Sequence, residues 1–87
     1  MHQSKEQVDH LIEKHYEQMV GIIQKWVYLD RGNAQDLLHN LYIKYLDHTG
    51  YNGTFQEYIF GRAYPLGKAN PEAAYEEIQR MRLPDAE

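Results

Sequence analysis

The fold is decided by the stretch Ala34-Gln35-Asp36-Leu37-Leu38-His39-Asn40-Leu41-Tyr42-Ile43-Lys44-Tyr45-Leu46. Leu37, Leu38, Leu41, Tyr42, Tyr45 and Leu46 recur at spacings of three and four, so a helix over 34–47 stacks them on one side. Asn33 directly before it is the expected N-cap, and Asp36 falls in the first turn, where a negative charge suits the helix dipole. So wide an apolar stripe needs partners on both sides. The segment is therefore expected to be the central helix of an all-α domain.

Upstream, Ser4-Lys5-Glu6-Gln7 fits a capping box, in which a hydroxyl and a side chain three residues later satisfy each other's backbone N–H. Val8, Leu11, Ile12, Tyr16, Met19, Ile22, Ile23 and Trp26 follow at helical spacing, predicting a helix over about 5–28. Gly21 interrupts it, either admitting a neighbouring helix closely or tolerated at ~1 kcal/mol relative to Ala. Asp30-Arg31-Gly32-Asn33 is expected to form a turn, with Gly32 taking positive φ and Asn33 capping the next helix. So short a connection implies that the first two helices pack antiparallel.

Downstream, residues 48–53 form a loop with two glycines, and Thr54-Phe55-Gln56-Glu57 is a second capping box. It opens a helix over about 55–64 with Phe55, Tyr58, Ile59 and Ala63 inward. Pro65 ends that helix and is expected to push Tyr64 toward extended geometry. Asn70-Pro71-Glu72 then starts a fourth helix over about 71–82, with Ala74, Tyr75, Ile78 and Met81 as its stripe. Its acids (Glu72, Glu76, Glu77) come early and its bases (Arg80, Arg82) late, as the dipole prefers, and Pro84 closes it. The expectation is one domain over 1–87, a small bundle of three to four helices without strands.

No cysteine is present among 87 residues, which excludes disulfides and thiolate metal sites and makes a cytoplasmic setting the natural expectation. The first ten residues lack the apolar core of a signal peptide, and no apolar run approaches the ~18 residues of a membrane span, so no membrane association is expected. Thirteen acids against nine bases give a formal charge of −4, without the basic bias of a stand-alone nucleic-acid binder. Eight tyrosines against two phenylalanines suit the margins of a thin core, where a ring is buried and its hydroxyl stays wet.

The residues that carry chemistry do not converge in sequence. His10 and His15 are five apart and point to different helix faces, while His39 and His48 are nine apart, unlike the i, i+4 pair of a helical zinc site. Glu76 and Glu77 are adjacent and diverge. Neither a phosphate-binding glycine loop nor a nucleophile elbow occurs. The expectation is a protein that is not an enzyme and needs no cofactor or metal.

The order of features resembles a known family. Leu11, His15, Tyr16, Met19 and Ile22 lie on one helix, a short turn leads into Asn33-Ala34-Gln35-Asp36-Leu37-Leu38, and Tyr42-Ile43-Lys44-Tyr45-Leu46 follows. A glycine-containing loop then precedes Phe55-Gln56-Glu57-Tyr58-Ile59. Over about 11–63 this is similar to region 2 of bacterial sigma factors, especially the small extracytoplasmic-function group. The resemblance implies that the central helix docks on the clamp helices of the RNA polymerase largest catalytic subunit, and that the following loop and helix capture and melt the promoter −10 element. Asp36 matches the family's acidic position, His39 and Asn40 fall where Gln and Glu are usual, and Tyr58 takes the place of a tryptophan.

Carried over in this way, Asp36, His39, Asn40 and Ile43 are the expected polymerase-binding residues, with Ile43 as the apolar anchor. The other reading of the same residues makes Asp36 a dipole partner and Ile43 a core margin. Lys44, Tyr51, Tyr58, Arg62 and Lys68 are the candidates for DNA, with Tyr51 or Tyr58 stacking on a base. The family's third helix runs on through a basic segment. Here Pro65 and Gly67 break it and the next helix carries acids, which weakens the DNA expectation. The sequence also lacks a second domain for the −35 element, so a complete sigma factor is not expected. The resulting expectation is a small non-catalytic regulator, of the phage-encoded kind, that binds polymerase in a bacterial cytoplasm. The alternative is a small helical phage assembly or packaging protein that works as an oligomer and uses its tyrosines at subunit interfaces.

Overall fold

Ser4 Oγ accepts the backbone N–H of Gln7 while the Gln7 side chain accepts that of Ser4, and from this capping box α1 runs Lys5–Val27. The computed structural model describes residues 2–66 and 70–80. Val8, Leu11, Met19, Val20, Ile22, Ile23 and Trp26 of α1 are buried, and Ile12 and Tyr16 are partly covered. The backbone leaves helical geometry at His15 (φ −122°, ψ 23°), so the two halves of the stripe meet at a kink. Gly21 faces open space: a Cβ there would meet nothing within 4 Å. It is tolerated rather than required for helix approach.

α1 ends on Tyr28, which adopts the left-handed conformation (φ 59°, ψ 43°) and donates its N–H to Gln24 O. Glycine or asparagine is usual at such a position. α2 follows as Arg31–Asp47, three residues earlier than the expected start. Asp30, not Asn33, is the N-cap, its Oδ1 accepting the Asn33 N–H at 2.7 Å. A carboxylate is the stronger acceptor for the orphan N–H groups of a first turn, and the Asn33 amide donates to Asp30 Oδ2 instead of capping. Gly32 consequently lies within the helix and takes no positive φ.

The start of α2 meets the middle of α1 through Arg31 and Glu17, and late α2 meets early α1 through Tyr42 and Asp9. The two helices are therefore antiparallel, as the short connection requires. Ala34, Leu38, Leu41 and Tyr45 of α2 are buried, with Leu37, Tyr42 and Leu46 at the margin of the core.

Thr54 opens α3 (Phe55–Ala63) through the second capping box. Phe55, Tyr58, Ile59 and Ala63 face inward. Tyr64 is not extended: it is right-handed helical (φ −55°, ψ −46°) and begins a single 3-10 turn, Tyr64–Leu66. The fixed φ of Pro65 suits that turn, and the Tyr64 ring lies flat on Phe60 (5.3 Å between centroids, 7°), which offsets the steric bias of a residue before proline.

Asn70 Oδ1 accepts the N–H groups of Glu72 and Ala73 and starts α4, Pro71–Gln79. Ala74 and Ile78 bury this helix against α3 and α1, while Tyr75 stays half exposed. Met81, Arg82 and Pro84, and with them the expected end of the fourth helix, lie outside the described residues. The result is a four-helix all-α domain with no strand among the described residues. Trp26, Tyr45, Phe55 and the aliphatic residues between them form a single core. Each fully buried large side chain in it contributes roughly 1.5–3 kcal/mol.

Candidate interaction surface

Burying Ala34, Leu38, Leu41 and Tyr45 turns the opposite side of α2 outward. Asp36, His39, Asn40 and Ile43 all lie on that side, at spacings of three and four, and all four are exposed. Ile43 retains 44 % of its surface, which sets it apart from the core margin occupied by Leu37 and Leu46. Asp36 makes no ion pair or hydrogen bond among the described residues, and the His39 ring lies 6.4 Å from that of Tyr42. The face is thus one aliphatic side chain framed by polar groups.

The residues expected to touch DNA are distributed differently. Lys44 and Arg62 are exposed, and Lys68 lies outside the described residues. Tyr58 is only 4 % exposed, which overturns its expected role as a base-stacking ring. The rings of Tyr45, Tyr51 and His48 pack edge-on around it at 5.4, 5.1 and 6.3 Å. Arg62 places its guanidinium 4.6 Å above the ring centroid, so this cation is already engaged in a cation–π contact. The position that puts Tyr58 on the inward stripe of α3 is what removes it from the surface. Tyr51 is half-buried between Tyr45 and Tyr58, and burial raises the pKa of its hydroxyl above the usual value.

Two residues that no sequence pattern marked hold this aromatic cluster in place. His2 lies flat against Tyr45, and its Nδ1 is 2.9 Å from the carbonyl of Tyr51. The Gln3 N–H donates to Tyr45 Oη (2.6 Å), which donates in turn to the carbonyl of Gly53 (2.8 Å). Gln3 Oε1 accepts the N–H of Phe55 (2.8 Å), one of the donors that the first turn of α3 leaves orphaned. The only sequence signal for this latch was the abundance of tyrosine, which says nothing about partners.

Beside the exposed face runs a trough of about 280 Å³ between the first two helices. Asp9, Ile12, Glu13 and Tyr16 of α1 form one wall, and Gln35, Leu38, His39 and Tyr42 of α2 form the other. Tyr42 donates its hydroxyl to Asp9, which also pairs with Lys5 at 2.8 Å. The Lys5 hydrogen bond, followed by that from Tyr42, holds the Asp9 carboxyl below its usual pKa, and the bond to Asp9 raises the pKa of Tyr42.

Comparison with protein-family models, with curated proteins and with solved structures returned no match. Among the described residues, no group of three or more His, Asp or Glu side chains is placed to hold a metal ion. No described helix is long and apolar enough to cross a membrane.

Proposed function

We propose that this chain is a non-catalytic transcription regulator that binds RNA polymerase through the outer face of α2, docking on the clamp helices of the largest catalytic subunit. The observation that carries the reading is the exposure of Ile43 amid Asp36, His39 and Asn40. An apolar centre with a polar rim is the usual anatomy of a protein contact. The partner is proposed from the resemblance of the residue pattern over about 11–63 to sigma region 2. Promoter reading is not part of the proposal, because Tyr58 is buried and α4 presents Glu72 and Glu76 to solvent.

The test is co-elution of the purified domain with polymerase core, or with an isolated clamp fragment, on gel filtration. The combination of Asp36→Ala and Ile43→Ala is expected to weaken association by about tenfold or more, with helicity unchanged. Absence of association by the native domain at micromolar concentration rejects the proposal.

A second reading, an oligomeric phage assembly or packaging protein, is favoured by two exposed rings away from this face. Tyr28 keeps 74 % and Tyr75 45 % of their surface. Light scattering separates the two, since a defined multimer of the domain alone supports assembly and a monomer supports the polymerase reading.

A further inference from the structure

We infer that the trough between α1 and α2 receives a lysine or arginine side chain presented by a basic segment of a partner protein. The lining selects an occupant with an apolar stem and a cationic head. Ile12, Leu38 and the rings of Tyr16 and Tyr42 supply aliphatic and aromatic surface, against which a methylene chain packs and over which a cation is attracted. The α1 wall adds two carboxylates. Asp9 is satisfied by Lys5 and by the Tyr42 hydroxyl. Glu13, one turn further along, is exposed and makes no ion pair or hydrogen bond among the described residues.

Of the two carboxylates on the α1 wall, Asp9 is paired with Lys5 at 2.8 Å. The carboxylate left open is therefore that of Glu13, which lines the trough together with Ile12, Tyr16 and Leu38. A phosphate or carboxylate ligand would meet this wall with the wrong sign.

Size is compatible with a single long side chain. At about 280 Å³ the trough lies at the lower edge of the ~300–1,000 Å³ of sites that bury a small molecule, and it accommodates one long side chain. The rest of the binding energy must then come from a segment lying along the surface outside it. Such a surface is continuous with the trough, because Gln35 and His39 line it from the exposed side of α2. The inference is independent of which protein meets Ile43.

The experiment uses the whole chain and a capped, dye-labelled peptide with a single arginine between leucines. A twin peptide carries citrulline, the neutral isostere, in place of arginine. Amide chemical shifts locate the site and fluorescence anisotropy measures affinity. The arginine peptide is expected to shift Ile12, Tyr16, Leu38 and Tyr42 and to bind about tenfold more tightly than its twin. Glu13→Gln, a surface change that leaves the fold intact, is expected to reduce that preference to about twofold or less, whereas Glu76→Gln on α4 leaves it unchanged. Equal binding of the twins, no binding by either, shifts that map elsewhere, or a preference that survives Glu13→Gln would overturn the inference. Arginine amide alone binding as tightly as the peptide would overturn the assignment to a protein segment.

Discussion

The imidazole of His2 lies 4.2 Å from the ring of Tyr45 and 9° from parallel to it, joining the start of the chain to the end of the central helix. Together with Gln3 it completes the environment of a hydroxyl whose ring is fully buried. Tyr45→Phe keeps the ring but strands the Gln3 N–H and the Gly53 carbonyl, at a cost of about 1–3 kcal/mol. For a domain of this size each kcal/mol lowers Tm by roughly 4–8 °C, which thermal circular dichroism reads directly. Removal of the first three residues should reproduce much of the loss. An unchanged Tm in Tyr45→Phe would show that the latch adds nothing.

Stability should fall on the alkaline side. Burial raises the hydroxyl pKa of Tyr45 and Tyr51, and the bond to Asp9 raises that of Tyr42, all above the ordinary value of 10.0. A folded pKa above the unfolded one means that the stabilisation is complete below about pH 10 and disappears as pH rises through the folded values. Urea titrations on either side of that point should show it, and Tyr45→Phe should lose part of the slope. Asp9 acts with opposite sign: its lowered pKa contributes above the ordinary Asp value and is lost on acidification, weakly because the pair is exposed.

The glycines are expected to divide by environment. Gly21 and Gly61 lie in helices, and a Cβ at either would meet nothing within 4 Å, so Ala at either site should add about 0.5–1 kcal/mol. A Cβ on Gly53 would lie 2.7 Å from Glu57 Oε1 and 2.9 Å from the Tyr51 ring. The Glu57 carboxylate is held by the Thr54 N–H and the Tyr51 ring is wedged in the aromatic cluster, so Gly53→Ala should destabilise. Denaturant midpoints of the three variants check the ordering.

Ile43→Ser separates the contact face from the fold. Its side chain lies outside the core, so the substitution should change stability by no more than about 0.5 kcal/mol. Leu41→Ser, two residues away and buried, should cost several times as much. Comparable losses in both variants would place Ile43 in the core after all.

Local chemistry made much of this fold legible. The capping boxes at Ser4 and Thr54, and the Asn70-Pro71 start, involve groups at most three residues apart, so they were readable as short patterns. The choice between Asp30 and Asn33 was not, because both residue types cap helices and stand three residues apart. The structure places the cap on Asp30, the charged and therefore stronger acceptor, which takes the Asn33 N–H at 2.7 Å. Tyr64 likewise follows its packing on Phe60 rather than the bias of the proline after it.

The sequence by itself determined the helical class, the approximate extent of the first three helices, and which side of α2 carries Asp36, His39, Asn40 and Ile43. Periodicity encodes these directly, since residues three and four apart share a face in any helix. Only the tertiary structure decided that Tyr58 is enclosed, that His2 and Gln3 latch the loop before α3, and that a trough with an open carboxylate lies between α1 and α2. Those features join residues up to 52 positions apart, and contacts across that separation leave no periodic trace in the chain.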